Sequence, residues 1–191
     1  MSAMLNRLLD PVRLAECRKH DASASPALAA SDAALAKRVR ELLRYDEMTG
    51  VFTWRVDRGG GNVPGKAAGC DSNGYRQIYV DGRKYRAHHL AWLYVYGRLP
   101  RPMIDHINGN RADNRIANLR LADRTINTQN LRRARKDSTT GLLGVCRDRS
   151  SFRAEIQANG QRHNLGSFGD PESAHKAYVE AKRRLHQGGT L

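Results

Sequence analysis

The chain has 191 residues, and its 33 lysines and arginines against 19 aspartates and glutamates leave a formal net charge of +14. That balance is the footprint of a polyanion binder, and the length allows one or two domains. No run approaches eighteen apolar residues and no leader-like apolar core opens the chain, so neither a membrane span nor a secretory signal is expected. The three scattered cysteines, Cys17, Cys70 and Cys146, give no disulfide framework and no structural zinc, and imply a reduced, cytoplasmic setting.

Residues 1–30 read as a flexible tail. Leu5, Leu8, Leu9 and Leu14 hint at a short helix, but Pro11 interrupts it, and 21–30 is small and Pro-containing like a linker. A helix is expected from Ser31 or Asp32, with Leu35, Val39, Leu42 and Leu43 as its apolar stripe. Residues 45–50 form a turn, and 51–56 reads as a strand with Phe52 and Trp54 as packing residues. Gly60 to Lys66 fits GxxxxGK, yet Ala67 replaces the Ser or Thr that would hold magnesium, and no helix pattern follows. A nucleotide-binding loop is therefore rejected in favour of a mobile loop that could lie against DNA with Arg58 and Lys66. Tyr75 to Arg86 is a hairpin turning at Asp81-Gly82, with Arg76, Arg83, Lys84 and Arg86 on its polar faces. A helix follows over 88–97, stopped by Gly97, with Leu90, Trp92, Leu93 and Tyr96 on its core side. His88 and His89 point about 100° apart on a helix, so they cannot chelate one ion together. One of them could face a cleft and contact phosphate.

The stretch from Ile104 to Asn130 concentrates the chemistry. A short strand delivers Asp105 and His106, NGN at 108–110 turns the chain, and 118–121 alternates as a second strand. Asp123 can cap a helix that carries Arg124, Asn127 and Asn130 on one face. An acid beside a histidine can hold a hard cation and deprotonate water, an asparagine can complete the metal shell, and an arginine can steady a phosphate. This strand–loop–strand–helix resembles an HNH endonuclease of the phage and homing type, with its ββα-metal fold. In the resemblance His106 is the first H, Asn118 the central N, whose side chain ties the hairpin together, and Asn127 replaces the last H. The run 41–54 and the sequence AHHLAW at 87–92 also resemble segments ahead of the motif in that family. The basic run from Leu131 to Lys136 is expected to end the nuclease helix, with Arg132 and Arg133 near phosphate, and 134–140 to be a linker.

The last fifty residues read as three short strands, the second pair turning at Asn159-Gly160, and a helix capped by Asp170 with Pro171 at its first position. Gly144-Val145, Phe152, Ala154-Glu155-Ile156, Leu165 to Phe168, Ala174, Ala177 and Tyr178 resemble the Apetala/ethylene-response-factor DNA-binding domain, although its sheet tryptophans are missing. That resemblance places Arg147, Arg149, Arg153, Gln157 and Arg162 on a sheet face turned to DNA.

The expectation is an α+β protein: tail 1–30, nuclease 31–133, linker 134–140, and a sheet of three antiparallel strands packed on one helix over 141–188. The nuclease would use Asp105 and Asn127 for one divalent ion, expected as Mg²⁺ from its oxygen ligands, with His106 as general base, Asn118 supporting and Arg124 offsetting transition-state charge. Its partner would be double-stranded DNA in a bacterial or phage-infected cell, met as a monomer that nicks. Two other readings are a non-catalytic DNA-binding protein with a relic hairpin and a basic RNA-binding protein; the second lacks the aromatic pair or GXXG loop of the common RNA modules.

Overall fold

The computed structural model describes residues 25–101, 103–123, 129–131, 133–134 and 136–186. Its elements are helices and small antiparallel sheets, an α+β fold as expected. None of the described helices is long and apolar enough to cross a membrane. The chain divides into two compact units between Asp123 and Arg124.

The first unit begins earlier than the sequence reading placed it. Helix α1 spans Pro26–Leu42, because Ser25 accepts a hydrogen bond from the Leu28 N–H and Pro26 stands in the first turn. The linker expectation therefore fails for 26–30, and residues 1–24 lie outside the described residues. Asp32 is no cap either. It is buried inside α1 and binds the Leu99 N–H and the Arg101 guanidinium. α1 runs into β1 (Leu43–Tyr45), which pairs with β2 (Phe52–Trp54). The glycine loop after β2 is followed by no helix, and it is tied back to β2 by the Thr53–Ala67 bridge. Arg58 stacks over Trp54 at 5.2 Å.

A sheet of β3 (Cys70–Ser72), β4 (Tyr75–Val80) and β5 (Arg83–Arg86) follows. The expected turn stands at Asp81-Gly82, with both residues at positive φ, the backbone that a two-residue hairpin requires. Helix α2 (Ala87–Tyr96) stops where Gly97 enters the left-handed region. Val39, Leu43, Ile78, Leu90, Leu93 and Trp92 are buried together in one core, which holds α1, β4 and α2 in register. β6 (Met103–His106) pairs with β7 (Leu119–Ala122), and a single 3-10 turn over Ile116–Asn118 leads into β7. Of the helix expected from Arg124, residues 124–128 lie outside the described residues; Gln129 is helical, and Asn130, expected on the same helix, lies in a turn. Leu131 is already irregular chain, not the end of a helix.

The second unit is a sheet ordered β10–β9–β8, from β8 (Val145–Asp148), β9 (Ser151–Ala158) and β10 (Gln161–Phe168), under helix α3 (Pro171–Leu185). Alternation puts Ala154, Ile156 and Ala158 on the buried side of β9. Gly144 seats the sheet on α3: a Cβ there would stand 1.9 Å from the Tyr178 ring, at a φ of +75°. Lys182 is buried and donates to the Leu131 carbonyl, and Thr140 donates to the Val145 carbonyl, so both 131 and 140 are anchored within this unit.

Candidate active site

Asp105 and His106 are the last two residues of β6, paired opposite Arg120 and Leu119. The loop between the strands is wound on its own polar side chains. The Asn108 carboxamide accepts from the Asn110 N–H, and that of Asn110 from the Ala112 N–H. Asn118 spans this loop: its Oδ1 accepts from the Asn108 N–H at 2.9 Å and its Nδ2 donates to the Asp113 carbonyl at 2.8 Å. With both ends of its amide engaged, Asn118 acts as a brace for the loop that leaves β6.

Asp105 is buried, and Arg120 grips its Oδ2 through Nη2 at 2.9 Å and Nε at 3.2 Å. His106 is 5% exposed, and its Nε2 lies 3.4 Å from the Asn114 Oδ1. Asn114 Nδ2 donates to the Ala112 carbonyl, which turns Oδ1 toward the ring. With that oxygen as acceptor, His106 carries its proton on Nε2 and its basic lone pair on Nδ1.

α2 closes the other side. His88 is buried, with its ring edge-to-face on His106 at 4.7 Å, and its Nδ1 has no hydrogen-bond partner. The His89 ring stands 4.6 Å from that of His88, and Tyr75 lies 5.3 Å from His88 and 6.2 Å from His106. Burial, with the charges of His89, His106 and Arg86 adding to it, pushes His88 down to about 2. Burial and then Arg86 push His89 down to about 4. Burial also lowers His106, against the opposing pull of the Asn114 hydrogen bond and of Asp105 and Asp113. Three neutral imidazoles thus meet beside one buried carboxylate. Among the described residues no group of three or more His, Cys, Asp or Glu is arranged to hold a metal ion. Asp105 is the one carboxylate at the end of β6, and a carboxylate oxygen is a donor type that suits a hard cation.

A brace from the β1–β2 hairpin was not legible in the sequence. The Tyr45 hydroxyl donates to the Asn114 carbonyl at 2.7 Å. Gly50, at a φ of +74°, packs so closely that a Cβ would stand 2.4 Å from the Arg115 nitrogen and 2.5 Å from the Asn114 carbonyl carbon. Gly50→Ala is expected to cost about 2 kcal/mol or more, from left-handed strain plus that collision. The displaced Asn114 should lower turnover beyond what the lost stability explains. Thermal melts beside single-turnover rates check this, and an unchanged rate would separate the brace from the site.

Arg124, Asn127 and Arg132 lie outside the described residues, and Arg133 is exposed in irregular chain. In the second unit the register corrects the expected sheet face. Arg153 pairs with Cys146, and Arg162 with Gln157, so Arg153, Gln157 and Arg162 share the side opposite α3. Arg147 pairs with Phe152 on the other side, and Arg149 sits in the β8–β9 turn at positive φ. The parity of Arg147 with Val145 already carried this in the sequence. Glu155 ties the open face together, 2.8 Å from Arg153 and 3.7 Å from Arg162.

A family model described as HNH endonuclease matches residues 85–129, the stretch holding α2, β6, β7 and their loop. Protein 3.8 of Escherichia phage T7 is 34% identical over 96 residues, which span 49% of this chain and 76% of that protein. No solved structure matches the chain.

Proposed function

Because the chain belongs to the HNH endonuclease family, we propose that it is a metal-dependent DNA endonuclease that nicks duplex DNA. The observation that carries this reading is the neutral, buried His106 beside the Asp105 carboxylate at the end of β6. Asp105 and Asn127 are the residues that would hold one divalent ion, and oxygen donors favour Mg²⁺. When bound, that ion supplies positive charge to the scissile phosphate and the leaving 3′ oxygen.

The side chains do the rest. His106 Nδ1 takes a proton from the attacking water as the new O–P bond forms. The P–O3′ bond breaks, the leaving 3′ oxygen takes a proton from solvent, and the products carry a 5′-phosphate and a 3′-hydroxyl. Asn114 fixes the tautomer of His106, Asn118 holds the loop, and Arg124 offsets charge on the transition state. Of the ββα-metal arrangement, we assign the two strands to β6 and β7. One site holds one base, so a monomer cuts one strand at a time. Cleavage that appears with Mg²⁺ and is lost in EDTA tests the metal requirement. Cutting that persists in EDTA would remove it.

We further read the second unit as an Apetala/ethylene-response-factor-like module that holds the protein on DNA. Its support is the open sheet face bearing Arg153, Gln157 and Arg162 opposite α3. The replacement of Arg153 and Arg162 by Gln is expected to reduce the salt slope of DNA binding by roughly 2, with metal-dependent nicking of high-concentration plasmid retained. An unaltered slope in a titration of duplex DNA would contradict the module's role.

A further inference from the structure

The open face of the β3–β4–β5 sheet carries cations that the active-site description leaves unused. Ile78 and Val80 point into the core, so Tyr75, Gln77 and Tyr79 point outward, opposite Arg86 and Lys84 on β5. The Arg86 guanidinium lies over the Tyr75 ring at 4.5 Å, and the Arg111 guanidinium lies over the same ring at 5.0 Å. Arg111 comes from the β6–β7 loop, and its Cδ passes 3.9 Å from where a Cβ on Gly74 would stand. Farther along the same face Lys84 lies over Tyr79 at 5.5 Å, and Tyr79 is 49% exposed.

Two guanidinium groups on one ring repel each other. Among the described residues neither Arg86 nor Arg111 forms an ion pair with a carboxylate, whereas Arg76 on the same hairpin is bonded to Asp71 and the Ala68 carbonyl. A single cation–π contact would serve stability; the second adds like charge and leaves the pair open to an anion. Both groups also border the reaction centre. Tyr75 lies 6.2 Å from His106, Arg86 acts on His88 and His89, and Arg111 acts on His106.

We propose that Arg86 and Arg111, mounted on Tyr75, clamp a DNA backbone phosphate next to the scissile one, and that Lys84 and Tyr79 continue this track along the sheet. The stacked guanidinium keeps its N–H edge free for bidentate contact with phosphate oxygens. The inference rests on the reading of His106 as the catalytic base, because it places the clamp on the strand being cut.

The test uses the full-length protein with Arg86→Gln/Arg111→Gln, and Lys37→Gln/Arg44→Gln as a control of equal charge loss elsewhere on the first unit. Duplex binding in EDTA across a salt titration, and single-turnover nicking in Mg²⁺, are measured on each. The clamp variant is expected to lower the salt slope by roughly 2, as two lost phosphate contacts should. It should also weaken binding roughly tenfold or more, while the control stays close to wild type. Tyr75→Phe should keep the wild-type slope, and Tyr75→Ala should lose part of it, because the ring is the mount. Melting curves establish that each variant folds. A clamp variant that matches the control in both assays, beside an active wild type, overturns the clamp and leaves the nuclease standing. A wild type that binds but never cuts overturns the nuclease, and the slopes then judge phosphate contact alone.

Discussion

His106→Ala is expected to lose DNA cleavage by roughly 10²–10⁴-fold, the range that a general base contributes, with duplex binding unchanged. The argument runs from packing to chemistry. The strand end places His106 under α2, where burial keeps the imidazole neutral. The Nε2–H donates to the Asn114 Oδ1, which leaves the lone pair on Nδ1. In the proposed division of labour the second unit holds DNA without either group. The Ala variant opens a cavity beside His88, so His106→Gln serves as a companion that fills the space without a basic nitrogen. Both should fall together in single-turnover nicking. Undiminished cutting by a folded His106→Gln would take the base role away from His106.

The second large effect is on stability in mild acid. His88 has a folded value of about 2 against about 6.5 for a free imidazole. Between those values the unfolded chain binds a proton that the folded chain refuses, so stability rises with pH in this window. The contribution is fully present above about pH 6.5 and is lost progressively as pH falls. For His88 alone the loss is about 1 kcal/mol between about pH 6.5 and 5.5. His89, held at about 4, and the lowered His106 act in the same direction. The carboxylates that are lowered in the folded state, Asp113 and Asp170 among them, add their loss only at lower pH, below the ordinary aspartate range. Melts from neutral pH down to pH 5 should therefore show a steep drop. In His88→Phe, which keeps an edge for His106 and removes the titration, that drop should flatten by one proton. An equal slope in both proteins would mean that His88 is not buried neutral.

Local chemistry was legible in the sequence wherever it alone decided the structure. Asp81-Gly82 and Asn159-Gly160 are two-residue turns because their backbone needs positive φ, and both stand as expected. Asp105 and His106 end a strand as their flanks implied. What escaped depends on long-range contact. Tyr45 meets Asn114 across sixty-nine positions, and nothing in the spacing of 45–50 marks it as a support for the site. His88 was separated from His89 by helix geometry, yet its seat on His106 follows from how α2 docks on β6. Other misses were readable. Ser25-Pro26 is a helix start that the small residues after it obscured, and the alternation from Val145 assigns Arg147 to the side facing α3. The site's second half, Arg124 and Asn127, still stands on the sequence pattern.

The most direct measurement is the fate of supercoiled plasmid with purified wild-type protein, in Mg²⁺ and in EDTA, beside His106→Gln. Nicked circles with 5′-phosphate ends, formed only by wild type and only with metal, are the predicted result. A mobility shift in every lane with no nicked circle, on plasmid and on pooled random duplex alike, would contradict the nuclease and leave a DNA-binding protein.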